Sequence, residues 1–137
     1  MTSKRISKDE YYLEIAKAVA LRSTCIRRKY GAVIVKDDRI ISTGYNGSAR
    51  GEKNCCDVGE CWREANNIPH GERYEMCVAV HAEDNAISQA GREASGATLY
   101  LAGFENGNVI SASPCMMCAR KIMNAGILRV VTSNEAP

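Results

Sequence analysis

The apolar residues of this chain change spacing along its length, from a helical period to a strand period and back, and few folds accept that alternation. Ser7-Lys8-Asp9-Glu10 has the Ser-x-x-Glu form of a capping box, followed by Tyr12, Ile15, Ala16, Val19 and Ala20 at i, i+3, i+4, i+7 and i+8. The pattern predicts a helix from about Lys8 to Ser23. GAVIVK (31–36) and RIISTGY (39–45) are β-branched runs separated by Asp37-Asp38, which predicts a hairpin. From Asn46 to about Glu75 glycine, asparagine, proline and charge predominate without a period, so a long loop is expected, with one short helix near Cys61 to Asn67. Helical spacing returns at about Val78 to Ala90, ending at Gly91. A strand at ATLYLA (97–102), a helix from Ser113-Pro114 to Gly126 and a strand at LRVVT (128–132) are expected to follow. Helices alternating with strands predict an α/β sandwich. Its mixed sheet would have an antiparallel first pair and later strands joined by helical crossovers.

At 137 residues, 45% hydrophobic and 25% charged, the chain has the size and balance of a single domain, residues 1–137, with a proper core. Its opening MTSKRISKDE is charged, and an apolar run such as MCVAV (76–80) is far shorter than the ~18 residues of a membrane span. A soluble, cytoplasmic protein without membrane contact is expected. Seven cysteines without a secretory signal favour metal binding over a disulfide scaffold. The net charge of +2 hides a surplus of five positive charges within residues 1 to 30. That distribution suits a small anionic ligand better than a nucleic acid, which calls for a larger total surplus.

The chemistry concentrates in two short stretches. In the third main helix Ser113 sits where an N-cap belongs and Pro114 at the first helical position. Cys115, Cys118, Ala119, Ile122 and Met123 then fall on one face, so the two thiols are expected on a core-facing stripe at a helix start, where the dipole favours thiolates. In the second helix Ala79, Ala82, Glu83, Ala86, Ile87 and Ala90 form the apolar stripe, and Glu83 is its only charged member. Desolvation there raises a carboxyl's pKa toward the range useful for proton transfer. His81, near the same helix start, offers an imidazole nitrogen. One histidine and two cysteines make three zinc ligands, with the fourth tetrahedral position left for water, as in catalytic sites.

HAEDNAI (81–87) with PCMMC (114–118) resembles the His-x-Glu and Pro-Cys-x-x-Cys signature of the zinc-dependent nucleobase deaminases. RSTC (22–25), GAVIV (31–35) and GYNG (44–47) extend the likeness to the deoxycytidylate (dCMP) deaminases within the cytidine deaminase superfamily, over about residues 8 to 132. The resemblance implies a three-layer α/β/α sandwich around a mixed five-stranded sheet. It also implies hydrolytic deamination of dCMP to dUMP and ammonia. Zinc would be held by His81, Cys115 and Cys118, with Glu83 as the proton carrier and Asn46 against the deoxyribose. Homo-oligomers, hexamers or dimers, and the effectors dCTP and dTTP belong to the same implication. The substrate's phosphate needs cations, for which Arg22, Arg27, Arg28 and Lys29 are nearest the end of the first helix.

Cys25, Cys55, Cys56, Cys61 and Cys77 remain. Some dCMP deaminases carry a second, structural zinc on cysteines matching Cys25 and Cys55. Cys61 and Cys77 complete such a set here only by elimination, with Cys56 an alternative to Cys55, His70 a weaker candidate, and buried inert thiols the plain alternative. Deaminases acting on tRNA adenosine, guanine or free cytidine would share the catalytic site, and a zinc-binding interaction module would share the metal alone.

Overall fold

The computed structural model describes residues 5–23, 28–48 and 79–133. Helix α1 spans Lys8–Ala20, and the Ser7 hydroxyl accepts from the backbone N–H of Glu10 at 3.1 Å, as the capping box predicts. The helix stops three residues short of the expected Ser23, because Leu21 caps it and the chain turns inward to bury Ser23. Strands β1 (Lys29–Lys36) and β2 (Arg39–Tyr45) form the expected antiparallel hairpin. Asp37 and Asp38 lie at φ 53° and 59°, the two left-handed positions of a tight hairpin turn whose twist matches that of its strands.

The two-residue strands β3 (Gly47–Ser48) and β4 (Ala79–Val80) pair with each other. That pairing corrects the expected start of the second helix. Extended backbone persists through His81, and α2 runs Ala82–Ala90 with His81 as its N-cap. After a 3-10 turn at Gly91–Ala94 comes β5 (Thr98–Glu105), then β6 (Asn108–Ile110), helix α3 (Met116–Asn124) and β7 (Arg129–Thr132). The β5–β6 hairpin was not expected. Asn106 at φ 53° and Gly107 at φ 79° form its turn, and the Asn-Gly pair is the local signal for it.

The five-stranded sheet is mixed. β1 lies between β2 and β5, antiparallel to both, while β7 runs parallel to β5 after the crossover through α3. β6 and β7 share the other edge of β5 end to end. Buried Ser133 fills the junction, with its Oγ donating to Ile110 O and accepting from Gly103 N. Period-two alternation along β1 and β5 sorts the two cores. Val33, Val35, Tyr100 and Ala102 face α1, whereas Ala32, Ile34, Leu99 and Leu101 face α2 and α3. Three layers result, as expected. Among the described residues no helix is long and apolar enough to cross a membrane.

Two glycines set how closely the helices approach. A Cβ on Gly31 would lie 2.1 Å from Ala16 O, and one on Gly44 would lie 2.5 Å from Ala86 N and 2.6 Å from Ala82 O. These are backbone atoms, so α1 and α2 rest directly on the sheet. Gly44→Ala is therefore expected to lift α2 and destabilise the fold by roughly 2–3 kcal/mol, read as a lower urea midpoint at unchanged slope.

Two tyrosines tie α1 to the sheet. Tyr12 donates to Asp38 at 2.7 Å and Tyr100 to Asp9 at 2.8 Å, and Asp9 also pairs with Arg129. The Asp38 carboxylate pushes the Tyr12 phenol up to about 12, while burial and Asp9 push Tyr100 up to about 12. Folding thus favours both neutral phenols. The stabilisation is complete below the ordinary value near 10 and fades as pH rises toward 12. An absorbance titration at about 295 nm should lose a step near pH 12 in Tyr12→Phe and again in Tyr100→Phe.

Candidate metal centre and buried acid

The starts of α2 and α3 meet on one side of the sheet and bring three soft donors together. His81 Nδ1 lies 3.3 Å from Cys118 Sγ and 3.5 Å from Cys115 Sγ, and the three donor atoms all fall within 4.8 Å of one another. Tetrahedral bonds of about 2.0 Å to nitrogen and 2.3 Å to sulfur imply a nitrogen–sulfur separation of about 3.6 Å, so the spacing fits one zinc ion. Among the described residues no other group of histidine, cysteine and carboxylate side chains has this proximity.

The local structure of PCMMC differs from the expectation in one respect. Ser113 does not cap α3. Cys115 does, its sulfur accepting from the backbone N–H of Cys118 at 3.4 Å, and Met116 is the first helical residue. Sulfur substitutes for the usual hydroxyl because the chain stays extended through Cys115, at φ −68° and ψ 168°. Cys118 is buried, whereas Cys115 is half-buried at the rim. Met123, expected on the core-facing stripe, is 77% exposed, since α3 lies at the margin of the sheet and buries only Cys118 and Ile122.

Glu83 lies on the inner face of α2 at 5% exposure, as the apolar stripe predicts. Burial raises its carboxyl pKa above the ordinary range, against hydrogen bonds from its own backbone N–H and from Cys118. Cys118 is likewise pushed up, by burial first and then by the negative charge of Glu83. Without a cation Cys118 therefore keeps its proton, and a dipole at a helix start does not by itself make it a thiolate. A divalent ion reverses that balance by supplying the missing positive charge.

Asn46 lies at the end of β2 and is buried. Its Oδ1 accepts from Ser23 Oγ at 2.6 Å and from Tyr30 N at 2.7 Å, and its Nδ2 donates to Arg28 O at 2.9 Å. The side chain thus joins the end of α1, the start of β1 and the end of β2, leaving one Nδ2 hydrogen outside these bonds. Of the cations considered for a phosphate, Arg22 is exposed just after α1 and Arg28 pairs with Glu105 at 3.0 Å. Cys25, Arg27, Cys55, Cys56, Cys61, His70 and Cys77 lie outside the described residues.

The motif residues Asp84 and Asn85, passed over in the sequence, are also engaged. Asp84 pairs with Lys121 of α3 at 2.7 Å, and Asn85 Nδ2 donates to Tyr45 O at 2.8 Å. Their position beside Glu83 on consecutive helical residues is the one sequence signal they carry, since consecutive residues point in different directions.

Comparison with known proteins agrees with this geometry. Residues 6–134 match the family described as the cytidine and deoxycytidylate deaminase zinc-binding region. A deoxycytidylate deaminase of Mycobacterium phage D29 is 42% identical over 133 residues, covering 93% of this chain and 95% of the phage protein. The deoxycytidylate deaminases of Schizosaccharomyces pombe and Saccharomyces cerevisiae are each 40% identical over 93% and 96% of this chain. The chain spans only 37% and 39% of those two proteins. The crystal structure of dCMP deaminase from the cyanophage S-TIM5 superimposes with a TM-score of 0.65 at 27% identity, over 93% of this chain and 82% of that one. With the family's zinc-binding region matched from before α1 to beyond β7, and the His81, Cys115 and Cys118 donors drawn together inside it, this chain belongs to the cytidine and deoxycytidylate deaminases.

Proposed function

We propose that this chain, acting as one domain, catalyses the hydrolytic deamination of dCMP to dUMP and ammonia. The observation that carries the proposal is the buried Glu83 beside a His81–Cys115–Cys118 cluster of zinc dimensions. The sequence likeness to deoxycytidylate deaminases supports the choice of substrate. Zinc held by His81, Cys115 and Cys118 would supply Lewis acidity to a water nucleophile, bringing its pKa toward about 7.

Glu83 handles the protons. As a carboxylate it accepts one proton from the attacking water and passes it to the pyrimidine ring nitrogen; it then takes the second from the newly added hydroxyl, whose oxygen becomes the carbonyl, and gives it to the amine, which leaves as ammonia as the C–N bond breaks. Its burial beside the cluster suits both directions, since desolvation favours the neutral form that returns each proton. Its dry surroundings also strengthen every polar contact at the reacting carbon. Asn46 keeps one Nδ2 hydrogen for the sugar, and the phosphate falls to the cations around the end of α1, Arg22 and Arg27 among them.

A homo-oligomer is part of the proposal, supported by Met116, Met117, Met123 and Leu128, which are all more than half exposed along α3 and the approach to β7. Light scattering at assay concentration reads the subunit count. Control by dCTP and dTTP, cytoplasmic location, where reduced thiols persist as ligands, and a second zinc on Cys25, Cys55, Cys61 and Cys77 rest on the resemblance and the cysteine count.

An ammonia-release panel of dCMP, CMP, dCTP, deoxycytidine, guanine and tRNA is expected to single out dCMP. Metal analysis of the same sample decides the structural site: two zinc ions per chain support it, and one removes it. Glu83→Gln should lower kcat by about 10³-fold or more while zinc content stays unchanged; a variant with undiminished kcat would remove Glu83 from the proton transfers, and a wild-type chain that binds zinc but deaminates none of the panel would mark a binding module. Because the carboxylate form must accept the first proton, kcat/KM should fall on acidification as Glu83 becomes protonated. A rate–pH profile reads that limb directly.

A further inference from the structure

Three consecutive residues of α2 reach three different neighbours. Glu83 turns into the metal pocket, Asp84 reaches Lys121 on α3, and Asn85 reaches the carbonyl of Tyr45 at the end of β2. The Asp84–Lys121 pair is partly exposed on both sides, so water screens it and its contribution is small. The Asn85 bond is different, since it is partly buried and closes a seam already tight at two other points. Along that seam Ser42 Oγ donates to Ala86 O at 2.7 Å, and Gly44 presses on the backbone of Ala82 and Ala86.

We propose that Asn85 is a positioning residue, whose amide holds the Tyr45–Asn46 corner in register with Glu83 and so sets where the nucleotide's sugar sits relative to the reacting carbon. The inference rests on the deaminase reading of the site. Asn85 lies two residues from Glu83 on a short rigid helix, and Tyr45 immediately precedes Asn46. The bond thus connects the proton carrier to the sugar-side residue through a single hydrogen bond and one peptide unit. Ser42 and Gly44 hold β2 farther back along the strand, and beyond Tyr45 the chain leaves the five-stranded sheet for the short β3–β4 ladder. Asn85 is therefore the last tie between α2 and β2 before the substrate corner. Its side-chain bond runs to Tyr45, and it is not one of the clustered His81, Cys115 and Cys118 donors, so its loss should displace the substrate without loosening zinc.

The test compares Asn85→Ala, Asn85→Asp and Asn85→Gln in the full chain, reading zinc content, thermal midpoint, and kcat and KM for dCMP. Asn85→Ala is expected to raise KM about tenfold, with kcat within about threefold and zinc unchanged. Asn85→Asp keeps the shape but sets a carboxylate against the Tyr45 carbonyl, so its KM should rise further. Asn85→Gln keeps the amide donor and should recover part of the loss. Unchanged KM in the alanine and aspartate variants overturns the inference, as does loss of zinc in step with KM, which would make the role purely structural. Should the alanine variant not fold, the order of aspartate against glutamine decides. A wild-type chain that releases no ammonia from dCMP refutes the proposed function instead, so the two failures are distinct.

Discussion

Helix α2 rests its backbone on the backbone of β2 at Gly44, and the active geometry follows from that approach. With no side chain between them, helix and strand are held at a separation that only glycine permits. Ser42 and Asn85 can then bridge the gap with single hydrogen bonds on either side of the contact. His81, the N-cap of α2, is thereby carried to the end of the sheet where α3 begins. A similar approach at Gly31 seats α1 on the other face, so the sheet is clamped between helices that cannot slide without a backbone clash.

The site built on that clamp is electrostatically unsatisfied. Glu83 and Cys118 are both buried, and burial is the largest cause that raises the cost of ionising each; the Glu83 charge adds to that cost at Cys118, whereas a hydrogen bond from Cys118 eases it at Glu83. Such a cluster does nothing for the fold that a pair of aliphatic side chains would not do better. Its sense lies in the charge it is short of, which a divalent ion supplies. The same desolvation raises the proton affinity of Glu83, the property on which its proposed role rests. Structure and chemistry share one cause here, the removal of water from the two helix starts.

Much of this was legible in the residues. The capping box at Ser7, the hairpin at Asp37-Asp38 and the burial of Glu83 on an apolar stripe all follow from local pattern, and the structure agrees with each. The misreadings have a common origin in interactions that the local pattern does not encode. The start of α2 slips from Val78 to Ala82 because Ala79 and Val80 pair with residues more than thirty positions away. Met123 fits a helical stripe but faces outward, since a peripheral helix has less sheet beneath it than its periodicity offers.

Periodicity and residue chemistry by themselves determined the alternation of helices with the main strands, and which imidazole and thiols could share an ion with a buried carboxyl close by. Those properties are local, set by how side chains repeat along a helix or strand and by what each donor atom is. The tertiary structure alone decided that Cys115 caps α3 with its own sulfur, that Ser133 closes the seam between β6 and β7, and that Asn85 ties α2 to Tyr45. Each of these is a hydrogen bond whose worth depends on backbone groups being brought near and shielded from water, and no spacing along the chain records that meeting.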